Sequence, residues 1–364
     1  MSQQHMRVSL RQVAARAGVS HVAVSMALRG RPNIPEKTRV RIRAIAEEMG
    51  YRADPMLSAL NMYRQTRRGA AYQAGLAWIN AFPEKNTLRN NPDFDLYWRG
   101  AVATAREAGF SLDEFWMYEP GMTPQRLAKI LHSRQVQGLL LPPMPAAHVL
   151  LELPWDAVST VAIGYSHEPV FHIVVNAHYR SARDAMRRLH RLGYRRVGFV
   201  TWPALEQRTD CNFRSGFVCE CEQLGLSPLI CSVPEGPMWK RNDAVDTYRK
   251  SAAQIRRWMR EHRPDAMLLP DPYCARVLGF EPAASAAGAK PASSRNRKPV
   301  IAVLATYPQD PWFAGIDQDA ERIGAAAVNH LISMIQRNER GRPERPLRIL
   351  VEGAWRDGAS VPGR

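Results

Sequence analysis

The stretch LRQVAARAGVSHVAVSMAL, residues 10–28, carries two short helical patterns on either side of a turn at Gly18. Its first half predicts an amphipathic helix, because apolar residues recur at the i, i+3, i+4 and i+7 spacing of one helix face. These residues are Leu10, Val13, Ala14 and Ala17. Gly18 supplies the permissive backbone that a tight turn needs. The pattern predicts two packed helices, which any αα-hairpin with a glycine turn would share.

Polar residues mark the start of both helices. Ser9 and Gln12 have the spacing of a capping box, in which each side chain binds a backbone N–H that the helix start leaves free. Ser20 is placed to cap the second helix, residues 21–29, whose apolar side is expected to bury Val24, Ala27 and Leu28. The residues expected to be exposed near its start are His21, Val22, Ser25 and Met26. A helix-turn-helix presents such a row to the DNA major groove.

A third helix is predicted from Pro35 to about Tyr51, since proline is favoured in the first helical turn. Its expected apolar set is Val40, Ile42, Ile45, Ala46 and Met49. The segment DPMLSALNMYR follows. About sixty residues resemble the N-terminus of the LacI/GalR family of transcriptional regulators. The matching pieces are VSLRQVAARAGVS, the pair Val24-Ser25, the KTR of residues 37–39, the pair Gly50-Tyr51 and a leucine at Leu60.

The resemblance implies roles for residues of the headpiece and of a hinge helix. In the family the two residues after the turn serine read base edges, and two hinge helices of a dimer enter the minor groove, where Leu60 would wedge between base pairs. Met26 departs from the family, which commonly has arginine there. The implied DNA-binding residues are Ser9, Ser20, His21, Val22, Ala23, Ser25, Met26, Arg29, Arg31, Lys37, Thr38, Met56, Leu57 and Leu60.

From Tyr72 onward, short apolar runs alternate with helical patterns, which predicts βαβ units and parallel sheets. By resemblance this is the periplasmic-binding-protein fold of the family. The predicted fold class is an all-α helix-turn-helix headpiece plus an α/β periplasmic-binding-protein-like core of two doubly wound parallel-sheet lobes. The expected domains are 1–54 (headpiece), 55–71 (hinge helix and linker) and 72–364 (effector binding and dimerisation). Lobe 1 is expected at about 72–165 and 313–341, and lobe 2 at about 166–312 and 342–356. The chain is expected to cross between the lobes near Tyr165, Trp312 and Arg342.

In folds of this kind ligands bind in the cleft at the carboxyl ends of the strands. The resemblance implies effector contacts by Phe94, Asp95, Arg214 and Asp271, and the rings of Trp98 and Trp312 could stack on a sugar or a cation. Where sugar-binding relatives have carboxylates at two strand ends, this chain has Gly164 and Ala305 or Thr306, and Phe213 stands in the place of their arginine. Residues 281–298, rich in Ala, Ser, Pro and basic residues, are expected to form a disordered surface loop.

Charge indicates a polyanionic partner. The 364 residues contain 50 Lys and Arg against 34 Asp and Glu, a net charge of +16. Residues 1–69 hold thirteen of these basic residues against four acidic ones. Such an asymmetry favours nucleic acid binding. The five cysteines are an odd number without a CxxC motif, so neither a disulfide framework nor a zinc site is indicated.

The remaining motifs argue against catalysis and against a membrane. The chain has no GxGxxG after a strand, no GxxxxGK[ST], no GxSxG and no HExxH, so we expect no enzyme, no catalytic residue, no metal and no cofactor. No apolar run of ~20 residues could span a bilayer, and no signal peptide is evident, so a cytoplasmic protein is expected. The expected function is a homodimeric operator-binding repressor whose effector is a sugar or sugar derivative. The alternatives are an activator of the same fold and a free-standing small-molecule binding protein without a DNA role.

Overall fold

The computed structural model describes residues 8–28, 34–51, 74–146, 149–168, 170–233, 243–280 and 298–362. The chain divides into two compact units, Met1–Gln73 with Ser333–Glu339 and Ala74–Ile332 with Arg340–Arg364. The three helices of the first unit are called the headpiece, and the second unit is called the body. The predictions for Arg29, Arg31, Met56, Leu57 and Leu60, for the hinge at 55–71 and for residues 281–297 lie outside the described residues.

The headpiece contains α1 (Leu10–Ala17), α2 (His21–Leu28) and α3 (Glu36–Glu48). The capping box of α1 is present, since Gln12 N donates to Ser9 Oγ at 3.4 Å and Ser9 N donates to Gln12 Oε1 at 2.7 Å. Gly18 ends α1 in the left-handed region at φ 65°, and Ala23 N donates to Ser20 Oγ at 3.1 Å. The predicted helix starts and the predicted turn are therefore confirmed.

The headpiece core is small and consists mostly of short side chains. Val13, Ala14, Ala17, Val24, Ala27, Ile42 and Ala46 are buried in it. Leu28 is only half-buried, and Val40 is 56% exposed, so its predicted place in the apolar set of α3 is wrong. Val40 lies two positions before Ile42, and at about 100° per residue the two side chains point in roughly opposite directions. A hydrogen bond also connects α3 to the end of α1, because Arg41 Nη2 donates to the Ala17 carbonyl at 3.2 Å.

The first sheet of the body forms lobe 1. Its strands are β1 (Ala74–Asn80), β2 (Phe110–Trp116), β3 (Val136–Leu141), β5 (Ser159–Ile163), β7 (His172–Asn176) and β13 (Arg348–Val351). They pair in the order β13-β7-β5-β3-β1-β2, and every pair is parallel. The central strands are mostly apolar and buried because helices cover both faces of a doubly wound sheet. A separate two-stranded pairing joins β4 (Val149–Leu150) to β6 (His167–Glu168).

The second sheet forms lobe 2. Its strands are β8 (Val197–Thr201), β9 (Leu229–Ser232), β10 (Ala266–Leu269), β11 (Val300–Val303), β12 (Ala314–Asp317) and β14 (Ala354–Arg356). They pair in the order β14-β12-β11-β10-β8-β9, with β14 antiparallel to β12 and the other pairs parallel. The predicted fold class is confirmed, with one antiparallel edge strand added.

Ten further helices connect or extend these strands in the described part of the body, most of them between consecutive strands. They are α4 (Thr87–Asn90), α5 (Pro92–Glu107), α6 (Pro124–Ser133), the 3-10 turn Trp155–Ala157, α7 (His178–Arg191), α8 (Pro203–Arg208), α9 (Asn212–Gln223), α10 (Asp243–His262), α11 (Pro272–Val277) and α12 (Ala320–Arg337). None of the described helices is both long and apolar enough to cross a membrane.

The chain passes between the two sheets three times, at positions later than predicted. The passages lie between β7 and α7 at Ala177, between β12 and α12 at residues 318–319, and between β13 and β14 at residues 352–353. The predicted crossings near Tyr165, Trp312 and Arg342 are corrected accordingly. The strand HIVVN, expected in lobe 2, pairs with β5 in lobe 1. A buried strand that is apolar on both faces fits either sheet equally well, so its pattern could not assign it.

Candidate functional sites

The exposed side of α2 is the first candidate site. His21 is exposed, and Val22 and Met26 are 47% and 36% exposed, while Val24 and Ala27 on the other side are buried. Ala23 and Ser25 are half-buried. The two exposed apolar side chains, Val22 and Met26, lie one helical turn apart and form a small apolar surface beside His21. This side of α2 is thus available to a partner.

The other predicted DNA contacts of the headpiece lie at helix starts. Ser9 and Ser20 are exposed, and both serve as helix caps. Lys37 is exposed in the first turn of α3, and Thr38 beside it is half-buried. Arg39 forms an ion pair with Glu36 in the same turn. The structure therefore leaves Lys37 at the surface with its charge turned toward solvent.

The second candidate site is a cavity of about 270 Å³ between the two lobes of the body. Residues of both lobes form its wall, at the carboxyl ends of β5, β8, β10 and β11. Its aromatic residues are Phe94, Tyr97, Tyr165, Trp202, Phe213, Tyr248, Tyr273 and Tyr307, and its ionisable residues other than tyrosine are Asp93, His178, Arg208 and Asp271. A concave site of this size with many rings and a few polar groups suits a small organic ligand.

Asp93 and Tyr307 join the two lobes across this cavity. The Tyr307 hydroxyl donates to Asp93 Oδ2 at 3.0 Å, which connects the start of α5 in lobe 1 to the segment after β11 in lobe 2. Burial raises the pKa of Asp93 to about 7, and the hydroxyl of Tyr307 opposes that shift. The carboxyl group therefore changes its charge within the physiological pH range.

Asp271 is fixed more firmly than Asp93. It is the N-cap of α11, where its Oδ1 accepts a hydrogen bond from Cys274 N at 2.8 Å. Its Oδ2 accepts one from the Tyr248 hydroxyl at 2.6 Å. Burial raises the pKa of Asp271, against the lowering effect of these hydrogen bonds. Two carboxyl groups, one from each lobe, thus border the same cavity.

Arg208 and His178 complete the ionisable wall. Arg208 Nη1 donates to the Met144 carbonyl of lobe 1, and burial lowers the pKa of this guanidinium to about 9. His178 is 8% exposed, and its Nδ1 has no hydrogen-bond partner among the described residues. Burial lowers the pKa of His178 to about 3, so the ring is neutral at physiological pH. Its ring lies 4.4 Å from that of Phe213.

Two of the six residues predicted for effector binding line the cavity, namely Phe94 and Asp271. The other four side chains have different contacts. Asp95 pairs with Arg99 at 2.7 Å, and Trp98 packs edge-on against Trp78 with a ring-centroid distance of 5.4 Å. Arg214 is exposed and lies 3.8 Å from Glu206. Trp312 packs edge-on against Phe313 in the core of lobe 2.

The predictions for α5 missed Asp93 and Tyr97. Asp93, Phe94 and Tyr97 are related by i+3 and i+4 spacings, so they lie on one side of the helix. This spacing in the sequence could have selected Asp93 in place of Asp95. Gly164, Ala305 and Phe213, at which the chain departs from sugar-binding relatives, also line the cavity.

The described residues define a class of protein in which a helix-turn-helix domain is combined with a two-lobed α/β body that has a cavity between its lobes. Within the described ranges, no three His, Cys, Asp or Glu side chains group in a way that could hold a metal ion. Residues 9–54 match the family described as bacterial regulatory proteins, lacI family.

Similar proteins agree with this match. The chain is 23% identical over 233 residues to the HTH-type transcriptional regulator TreR of Salmonella typhimurium, covering 61% of this chain and 66% of that protein. It is 44% identical over 54 residues to the HTH-type transcriptional regulator GntR of Pseudomonas aeruginosa, covering 15% of this chain and 16% of that protein. The alignments therefore span less than two thirds of these relatives.

Solved structures share the fold over most of the chain. A complex of the transcriptional regulator CelR with cellobiose matches with a TM-score of 0.56 at 19% identity, over 97% of this chain and 100% of that chain. The Lac repressor dimer bound to operator and an anti-inducer matches with a TM-score of 0.53 at 15% identity, over 98% and 99%. The match of residues 9–54 identifies the headpiece as a lacI-family DNA-binding domain, and the solved structures show that the rest of the chain shares their fold.

Proposed function

We propose that this protein is a sequence-specific operator-binding repressor that is controlled by a small molecule in the interlobe cavity. The observation that carries the proposal is the exposed side of α2. His21, Val22 and Met26 lie in solvent there, while Val24 and Ala27 anchor the helix to the headpiece core. A recognition helix needs both properties, because its reading side chains must be free and its position on the groove must be fixed.

Base readout in this proposal depends on one polar and two apolar side chains. The His21 imidazole can hydrogen-bond to a base edge, and Val22 and Met26 can contact thymine methyl groups. Lys37 and other basic residues of the headpiece would contact phosphates, which positions the domain without selecting the sequence. The net positive charge of residues 1–69 supports this division of roles.

The proposed assembly is a homodimer that acts in the cytoplasm. One headpiece covers only half of a palindromic operator, so two copies are needed to read a complete site. The predicted hinge residues Met56, Leu57 and Leu60 would meet their counterparts in the minor groove between the half-sites.

Control by a ligand is proposed to act through the contacts between the lobes. The cavity wall comes from both lobes, and three polar contacts join the lobes. They are the hydrogen bond from Tyr307 to Asp93, the one from Arg208 to the Met144 carbonyl, and the one from Arg348 to Asp210. A ligand that binds one arrangement of the lobes more tightly shifts the population toward it. The proposed effector is a sugar or sugar derivative, which the cellobiose complex of CelR supports.

The test is a selection of random double-stranded DNA by the full-length protein, followed by a mobility shift on the enriched sequence. We expect a palindrome, bound by two copies of the chain. The double variant His21→Ala, Val22→Ala should lose the preference for this sequence, while Ala44→Ser on the exposed side of α3 should keep it. Failure of the unmodified protein to enrich any palindrome would contradict the proposal and favour a free-standing binding protein. A reporter gene that is activated through the enriched site would identify an activator.

A further inference from the structure

The wall of the interlobe cavity contains more carboxyl groups than cationic side chains, although the chain as a whole is strongly basic. Both of its carboxyl groups, Asp93 and Asp271, lie near the Tyr307 and Tyr248 hydroxyls that donate to them. The cation in the cavity wall is Arg208, which donates to the Met144 carbonyl. A net charge of +16 on the chain makes an acidic and aromatic cavity a local exception that needs a chemical reason.

We propose that the cavity binds a ring-bearing ligand with a protonated amine, and that the ammonium group is held between Asp93 of lobe 1 and Asp271 of lobe 2. The inference rests on the proposed function of this cavity as the effector site and specifies the chemical class of the effector. The ammonium group would contact both lobes at once. Such a contact is the differential interaction that a ligand needs in order to shift the lobes.

The surroundings of Asp93 are the first argument. The Tyr307 hydroxyl donates to this carboxyl at 3.0 Å, and the nearby carboxyl groups of Asp271 and Asp317 have the same charge as Asp93 and raise its pKa. A carboxylate removed from water is costly unless a positive charge or several hydrogen bonds compensate for it. A bound ammonium group would supply the missing charge and up to three N–H donors. The cation of the cavity wall, Arg208, donates to the Met144 carbonyl, so a bound ammonium group is a suitable partner for Asp93.

The aromatic wall is the second argument. The Tyr273 and Tyr307 rings lie with centroids 6.3 Å apart, and Trp202 meets Tyr248 edge-on at 5.5 Å. Rings near a carboxyl group attract cations, since the negative face of a π-system stabilises an ammonium ion more strongly when water is excluded. The same rings can stack on a ring of the ligand. The cavity therefore offers complementary surfaces for both parts of the proposed ligand.

His178 is a third and independent observation. Its side chain is more than nine-tenths buried in the cavity wall, and its Nδ1 has no partner among the described residues. Buried polar atoms without partners are uncommon, and each one calls for an explanation such as a ligand. A neutral imidazole nitrogen can accept an N–H from an amine. His178 therefore adds an acceptor to the two carboxyl groups without adding positive charge.

The test is calorimetric titration of the full-length protein with matched pairs of probes. The pairs are phenethylamine with 2-phenylethanol and D-glucosamine with D-glucose, so each amine is compared with a neutral compound of the same skeleton. We expect at least one amine to bind about tenfold or more tightly than its neutral partner, as expected for a desolvated charge pair. Equal affinity within both pairs, or no binding by either amine, would overturn the proposal.

Two variants assign the effect to Asp93. Asp93→Asn should abolish the preference for the amine, while Asp95→Asn, two residues further along the same helix and outside the cavity wall, should retain it. Thermal unfolding of both variants checks that they fold. If Asp93→Asn keeps the preference for the amine over the neutral compound, Asp93 does not bind the ammonium group and the proposal is overturned. Operator binding is measured on the same samples. Selective DNA binding without a preference for the amine refutes only the inference about the ligand. Amine binding without selective DNA binding refutes only the repressor function.

Discussion

Met26 is an exposed position of α2 at which one substitution can test the proposed readout of bases. It is exposed beside Val22, one turn of helix away, and the family commonly has arginine at this place. The variant Met26→Arg is predicted to shift the preferred operator toward guanine at one position in each half-site, because arginine makes two hydrogen bonds to a guanine edge. A discrimination of about 1–3 kcal/mol is expected at that position.

Selection from random DNA by Met26→Arg and by the unmodified protein measures this shift. Ala44→Arg is the matched control, since it adds the same charge on the exposed side of α3. The control should raise the affinity for all sequences without changing the preferred one. If Met26→Arg selects the same sequence as the unmodified protein, Met26 does not face the bases.

His178 predicts a dependence of stability on pH. Its pKa is lowered to about 3 by burial in the folded body, whereas histidine in an unfolded chain titrates near 6.5. Below pH 6.5 the unfolded chain therefore gains a proton that the folded body does not, and the folded state loses stability as the pH falls. The variant His178→Phe lacks this effect, and it can pack against Phe213 as the imidazole does.

The expected gain of His178→Phe over the unmodified protein grows by about 1.4 kcal/mol for each pH unit below 6.5. Urea unfolding of both proteins between pH 7.5 and pH 5 measures it. The difference at pH 7.5 serves as the reference, because both proteins lack a charge at this site there. A difference that stays constant over the whole range would show that His178 becomes protonated in the folded body.

At the scale of elements, two glycines allow α5 and α12 to meet backbone to backbone. A Cβ atom at Gly100 would lie 1.9 Å from the Glu321 carbonyl oxygen, and one at Gly324 would lie 1.9 Å from the Tyr97 carbonyl oxygen. No side chain can yield at these contacts, because both obstacles are backbone atoms. Helix α5, whose first turn contains Asp93 and Phe94, therefore packs closely against α12, the helix after the second passage of the chain between the lobes.

The variant Gly100→Ala is predicted to lower the free energy of unfolding of the body by about 1–3 kcal/mol, since α5 and α12 must separate to admit the methyl group. Chemical denaturation followed by tryptophan fluorescence measures the loss. The control Ala103→Ser changes an exposed position of the same helix and should stay within about 0.5 kcal/mol of the unmodified protein. Equal stability of both variants would mean that the two helices are not in contact.

Local signals in the sequence predicted the elements well. Helix starts and turns could be predicted without knowledge of the fold, because the residues that form them contact only their neighbours in the chain. These residues are the helix caps Ser9, Gln12 and Ser20 and the turn residue Gly18. Most strands of both sheets were predicted from short apolar runs for the same reason, but the strands β9, β12, β13 and β14 were not predicted. Which sheet a strand joins depends on its partner far along the chain. The strand HIVVN was therefore predicted correctly as a strand and placed in the wrong lobe.

The candidate cavity was predicted less completely than the fold. Asp271 was predicted from the resemblance to the family, and it lines the cavity as the N-cap of α11. Tyr248 and Tyr307 could not be predicted, because they reach the cavity from segments whose arrangement only the folded body defines. Trp98 and Trp312 were chosen for ring chemistry alone, and their rings pack against Trp78 and Phe313.

At the scale of the whole molecule, the concentration of positive charge in residues 1–69 predicts a steep salt dependence of DNA binding. If about six phosphates are contacted, the affinity should fall by roughly a thousandfold between about 50 and 200 mM salt, because bound counterions are released. The slope of the logarithm of affinity against the logarithm of salt concentration measures the number of contacts.

Lys37→Gln should reduce that slope by about one and leave the preferred sequence unchanged, as expected for one phosphate contact. Glu107→Gln, at the end of α5 in the body, is the control and should leave the slope as it is. A slope near zero for the unmodified protein would contradict a DNA contact through the basic headpiece.

The last strands of the body have a consequence for synthesis on the ribosome. β13 completes one edge of the first sheet and β14 one edge of the second, and both come after residue 347. Neither sheet is complete while the chain is still being translated up to that point, so in a nascent body the apolar strand β7 and the strand β12 lie at unpaired edges. A premature stop codon just before Arg348 would for this reason damage both halves of the body at once.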